Sequence, residues 1–164
     1  MRRLDIKQIT LALIISSLTL TLTGCSGAGP NAATRLIKQV TDGAEAKITT
    51  DGNDLRMVNT LLVATEDGSA VVVGTIVNAS ETADTLLGIY AGGTQAKITG
   101  ETTLNQNQPI IFEGESSTTK GVFAGVGAEP GKHVTLTFAF ARAGKVSLDV
   151  IIRDKRDDYA KVTA

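Results

Sequence analysis

Val134, Leu136, Phe138 and Phe140 alternate with Thr135, Thr137, Ala139 and Ala141. After Ala143, Gly144 and Lys145 the alternation resumes at Val146, Leu148, Val150 and Ile152. A period of two puts the larger apolar side chains on one face of each strand, and the glycine between the two runs marks a hairpin. A two-stranded ribbon with one apolar face does not stand alone in water, so the pair demands a second layer. Similar runs lie at 57–64, 70–77 and 86–91, with weaker ones at 95–99, 110–113 and 122–126. Turn residues separate them, at Glu66, Asp67 and Gly68 and again from Asn78 to Thr82. Short strands spaced about 8 to 12 residues apart predict an all-β sandwich. With 42% hydrophobic and 20% charged residues in 164, the chain suits one globular domain and neither a disordered nor a multi-span membrane protein.

The other strong signal is an address. Arg2, Arg3 and Lys7 precede an apolar run from Ile9 to Leu22, and Leu22, Thr23, Gly24 and Cys25 follow as a lipobox. The charged end stays cytoplasmic while the apolar run enters the translocon, and the small Thr23 and Gly24 let a peptidase reach the bond before Cys25. The run is shorter than the roughly 20 apolar residues of a spanning helix and is interrupted by Ser16, Ser17, Thr19 and Thr21. Asp5 falls where a twin-arginine signal prefers an apolar residue. The sequence therefore predicts a signal peptide over 1–24 and a lipid on Cys25, which anchors the protein to the outer face of the cell membrane.

Cleavage leaves 140 residues with 13 basic and 16 acidic side chains, a net charge of −3. Neither nucleic acid nor an anionic lipid surface is an expected partner of such a chain. Cys25 is the lone cysteine, so the domain must hold by packing alone. Residues 25–45 read as the lipidated cysteine and a tether, opening on Ser26, Gly27, Ala28, Gly29 and Pro30. Two readings of 32–40 stay open, a short helix with Leu36, Ile37 and Val40 on one side or a partly ordered linker. The sandwich is expected over 46–153, and Asp154, Lys155, Arg156, Asp157 and Asp158 open a solvated charged tail over 154–164.

Two stretches carry a resemblance. Val72 to Asn78 followed by Ala83, Asp84, Thr85 and Leu86 resembles the "LxNxxxxxDxL" stretch of the PCu(A)C copper-chaperone family and its actinobacterial lipoprotein relatives. Gly131, Lys132, Val134, Leu136, Thr137 and Phe138, then Ala143, Gly144, Val146 and Val150, resemble the family's closing "GxxVxLTxxFxxAGxVxxxV" hairpin. The resemblance spans about residues 55–152. It implies an exported, cupredoxin-like or immunoglobulin-like Greek-key β-sandwich, and a protein that handles Cu(I) with His and Met side chains.

The ligands of that family do not carry over. Its site uses a His near the strand after the "DxL" region, a Met-rich middle and an "HxM" segment before the last hairpin. Here the corresponding stretches read Ala96, Lys97, Ile98, Thr99, Gly100 and Gly121, Val122, Phe123, Ala124, Gly125. Cu(I) selects thioether, thiolate or imidazole donors, and the processed chain offers only Met57, His133 and the acylated Cys25. Met57 reads as core filler and His133 as a strand-edge residue, which leaves them as weak metal candidates and no cofactor expected.

Catalytic and phosphate-binding patterns are equally thin. His133 is the sole candidate base and no G-x-S-x-G accompanies it, so no enzyme activity is expected. Asp51, Gly52, Asn53 and Asp54 start like a calcium loop, but Leu55 and Leu62 fall where oxygen donors are needed. Asn78, Ala79 and Ser80 spell a glycosylation triplet and read as a strand-ending turn. The expectation is a non-enzymatic, lipid-anchored envelope protein that binds an unknown envelope protein or ligand. The alternative is an extracytoplasmic copper or metal chaperone with a non-standard site.

Overall fold

The computed structural model describes residues 41–164. The expected signal peptide, the lipobox residues Leu22, Thr23 and Gly24, the expected lipidation site Cys25 and the expected tether up to residue 40 lie outside the described residues. Eleven strands follow: β1 (Ala44–Ile48), β2 (Leu55–Ala64), β3 (Ala70–Asn78), β4 (Asp84–Ala91), β5 (Thr94–Gln95), β6 (Lys97–Gly100), β7 (Thr103–Leu104), β8 (Ile110–Ile111), β9 (Thr119–Phe123), β10 (His133–Phe140) and β11 (Gly144–Arg153). They hydrogen-bond in the order β5-β4-β10-β11-β2-β3-β9-β6, with β1 on β2, β7 on β4 and β8 on β3. The two ends of that path, β5 and β6, are separated in sequence only by Ala96, so the sheet folds back on itself into a closed all-β sandwich. The β11–β2 pairing is parallel, at Ile152↔Leu62 and Arg153↔Val63, and the other pairings are antiparallel.

The β10–β11 hairpin has the register that its alternation demands, with Leu136 opposite Leu148, Val134 opposite Val150 and Phe140 opposite Gly144. Gly144 takes φ +79°, a conformation that a side chain resists, and so closes the short turn. Leu136, Phe138, Phe140, Leu148 and Val150 are all buried in the main core with Leu55, Met57, Val72, Ile76 and Ile89. This core and its satellite are built from residues within 44–162, and Thr41–Ala164 forms one compact unit with its own interior.

Several boundaries differ from the sequence expectation. The 95–99 run is two strands, because the chain crosses from one edge of the sheet to the other at Ala96. The 122–126 run ends at Phe123, since Gly125 and Gly127 at φ +58° and +63° leave extended geometry. Strand β1 begins within the stretch assigned to the tether; its side chains are at most half-buried, so it leaves little periodic trace.

The last residues are not merely a solvated tail. Residues 157–159 form a 3-10 turn, and Val162 is only 5% exposed against Leu61, Val63, Val71 and Val73. The cause is a bulge in β2, where Asn59 adopts φ +51° and the register shifts between Val58 and Leu61. Beyond it β2 carries apolar residues on both faces, and the outer face takes its cover from Val162 and Tyr159.

Candidate functional site

Strands β6 and β9 bring together the two stretches where the family resemblance would place copper ligands. Ile98 pairs with Gly121 and Lys97 with Val122. The inward space between them is filled with hydrocarbon. Ala96 is buried, Ile98 packs against the main core, and a Cβ on Gly121 would sit 3.1 Å from Val72 Cγ2 and 3.5 Å from Ile89 Cδ1. A side chain as large as imidazole has no room there. Met57 lies in the main core, 2% exposed, while His133 is exposed at the start of β10 with its Nδ1 3.1 Å from Asp149 Oδ2. The fold leaves these two candidates in different environments. Among the described residues no three His, Cys, Asp or Glu side chains come together in a metal-binding arrangement.

The residues of the "LxNxxxxxDxL" stretch have a structural task. Asn78, fully buried at the end of β3, donates from Nδ2 to the carbonyls of Thr82 (2.9 Å) and Leu104 (2.8 Å). Its Oδ1 accepts from the Ser80 amide at 3.0 Å. Asp84, 3% exposed, accepts from the backbone amides of Thr85 (2.7 Å), Arg142 (2.8 Å) and Ala143 (2.9 Å). The Arg142 guanidinium then ties the same turn, donating to Ser80 Oγ at 2.7 Å and to Thr82 O at 2.9 Å. Together they pin the β3–β4 and β10–β11 turns at one end of the sandwich. Asn78 is thus a strand-ending anchor. The 51–54 stretch is likewise a turn, with Asp51 and Gly52 at φ +53° and +73°. There Asp54 accepts from Arg56, whose hydrogen bond holds the Asp54 carboxyl below the usual range.

The opposite end is open. β3 starts at Ala70, β4 stops at Ala91 and β10 starts beside Val134, and there lies a half-open pocket of about 340 Å³. Its buried lining is Leu62, Ala70, Phe123 and Ile152. Val126, 44% exposed, stands at the mouth with Ala128, Glu129 and Lys132. The pocket opens just beyond the second of the two ligand-poor stretches. Its mouth is the 124–132 loop, which the β2–β3 turn holds from the far side. Gly127 N donates to Gly68 O at 2.9 Å and Gly125 N to Ser69 Oγ at 3.2 Å. Ser69 Oγ in turn donates to Asp67 Oδ2 at 3.0 Å. Hydrogen bonds from Thr65, then from the Ser69 amide and hydroxyl, hold the Asp67 carboxyl below its ordinary range. The sequence expectation missed this site because it assigned 122–126 to a strand. The signal was Gly125 and Gly127 flanking Val126, which is loop chemistry.

A second recess of about 510 Å³ lies beside the C-terminal segment, lined by Val73, Glu113, Glu115, Asp158, Tyr159 and Lys161. Burial pushes the Glu113 carboxyl up, against the pull of Lys120. It also pushes the Tyr159 phenol up, and Asp42 adds to that shift.

Neither a family model nor a curated protein matches the sequence. Solved structures match the fold. The apo PCuAC domain from PmoF1 superposes with a TM-score of 0.55 at 23% identity, over 68% of this chain and 99% of that one. The copper-bound PCuAC domain from PmoF2 gives 0.56 at 15% identity, over 68% of this chain and 98% of that one. The apo PmoF2 PCuAC domain gives 0.53 at 16%, over 70% and 96%. The chain thus has the cupredoxin-like sandwich of PCuAC domains, which are covered nearly from end to end by 68–70% of this chain, and at these identities the likeness is one of fold.

Proposed function

We propose that this protein is a non-enzymatic module, anchored to the outer face of the cell membrane through lipid on Cys25, which uses a PCuAC-type sandwich to bind an envelope component other than copper. The observation that carries this reading is the β6–β9 pair. Where the resemblance calls for imidazole and thioether donors, this chain has Ala96, Ile98, Gly121 and Phe123, with the apolar pocket immediately beyond them. Cu(I) bound there would meet no soft ligand, whereas an apolar group would meet a matching surface. The lipobox and the charged n-region support the anchor. Metal content tests the reading. Protein purified from copper-replete cells is expected to carry no stoichiometric copper, and one copper per chain would defeat it. Replacing Cys25 by Ser is expected to abolish incorporation of labelled palmitate; retained label would defeat the anchor.

The second reading, an extracytoplasmic metal chaperone with a non-standard site, draws on the fold shared with a copper-bound PCuAC domain. It would have to use His133, the sole histidine of the chain. Its exposed imidazole has Asp149 at 3.1 Å, one nitrogen donor beside one hard carboxylate. That pair is a poor match for Cu(I), so the first reading is preferred.

A further inference from the structure

We infer that the pocket at the open end is a binding site for a single medium-length alkyl chain carrying an anionic head, such as a free fatty acid. This deepens the binding-module reading and rests on it. The volume, about 340 Å³, falls in the range of roughly 300 to 1,000 Å³ typical of small-molecule sites. The part of the ligand that enters must be pure hydrocarbon. The deep lining is Leu62, Ala70, Phe123 and Ile152, and no buried polar side chain projects among the lining residues. Three backbone amides around the mouth are already paired, Gly127 N with Gly68 O, Gly131 N with Ile152 O (2.7 Å) and Ile152 N with Lys132 O (2.8 Å). A polar group pushed inside would lose its water and gain no partner. Waters in so apolar a space are weakly held and easily displaced by a methylene chain.

The head group is set by the rim. Lys132 is the one cation among the lining residues, and it faces Glu129 at 3.8 Å in a pair whose side chains are both about 70% exposed. An exposed pair of this kind holds weakly, so the ammonium can exchange the Glu129 carboxylate, the one anion of the lining, for that of a ligand. Val126, between Gly125 and Gly127, extends the apolar wall outward.

The test is a titration of the 41–164 domain with monomeric dodecanoate, read by NMR on the methyl and amide signals. Saturable one-to-one binding is expected, with shifts confined to Val126, Ala128, Val134, Ile152 and their neighbours. Filling the site with Ala128→Phe should weaken binding by about tenfold or more. If that variant fails to fold, Val126→Asp at the exposed mouth serves instead, with a loss in the same direction. Lys132→Glu should weaken dodecanoate several-fold and leave the uncharged dodecanol unchanged. Leu87→Asp, at an exposed apolar residue that does not line the pocket, should change nothing. Absence of saturable binding overturns the inference, as does an equal loss in Leu87→Asp, which would mean non-specific adhesion. Shifts at the pocket from a leucine-rich peptide and none from dodecanoate would also overturn it and give the site to a protein partner. Failure of dodecanoate in a copper-free protein removes the ligand class alone, whereas stoichiometric copper removes the module reading with it.

Discussion

The two ends of this sandwich are built on opposite principles. At one end Asn78, Asp84 and Arg142 gather two turns into a dense polar lock, with Asp84 accepting three backbone amides. At the other, the same strands β3, β4 and β10 part around an apolar pocket, and the loop over it is tied through its backbone, to the β2–β3 turn by Gly127 N to Gly68 O and Gly125 N to Ser69 Oγ and to β11 by Gly131 N to Ile152 O. The motif that is easiest to see in the sequence marks the locked end, where it serves stability. The candidate site lies where the pattern is weakest. Loops carried on a rigid scaffold are where binding residues commonly sit.

If that contrast is sound, substitutions at the two ends should differ in kind. Asp84→Ala should have the largest effect, about 3 kcal/mol lost in urea unfolding, because three half-buried amide donors lose one buried acceptor together. A loss near zero would mean that the lock is cosmetic. Val162→Ala should cost about 1 to 2 kcal/mol, since it uncovers part of the cluster of Leu61, Val63, Val71 and Val73. No change in unfolding midpoint would return the C-terminal segment to solvent.

Acid should loosen the open end. The folded-state pKa of Asp67 is depressed, so its contribution is complete above the unfolded value, about 3.9, and disappears as pH falls through the folded value. Faster amide exchange at Gly125, corrected for intrinsic pH dependence, is therefore expected below about pH 4. An Asp67→Asn variant should show the loosened Gly125 already at neutral pH. Smallest of all, Val126→Asp should shift stability by less than about 0.5 kcal/mol, because the side chain is already at the surface. A larger loss would make Val126 part of the core and the pocket mouth a packed wall.

Much of the fold was legible because alternation and burial are the same fact in a sandwich. Val134 to Phe140 and Val146 to Ile152 announced both strands, their facing and their register. The runs of β2 and β3 announced something further, since Leu61, Leu62 and Val63 beside Val71, Val72 and Val73 do not alternate in polarity. Such strands need cover on both faces, which is why the chain end returns to them with Val162. Strands of two residues such as β7 and β8 are too short to leave a period. The pocket was hidden for another reason. Its lining comes from seven strands and two loops, and no local pattern reports which side chains will meet across an open end. What the sequence did report about function was a lack of His and Met at two named stretches, and the β6–β9 pairing shows those stretches side by side.

The most direct measurement is a Cu(I) titration of the 41–164 domain against a competing chelator, with Zn(II) and Ca(II) as controls. No competition for Cu(I) is expected at stoichiometric protein, because β6 and β9 bring hydrocarbon where soft donors would be required. Tight one-to-one Cu(I) binding would contradict it and restore metal handling as the function of this sandwich.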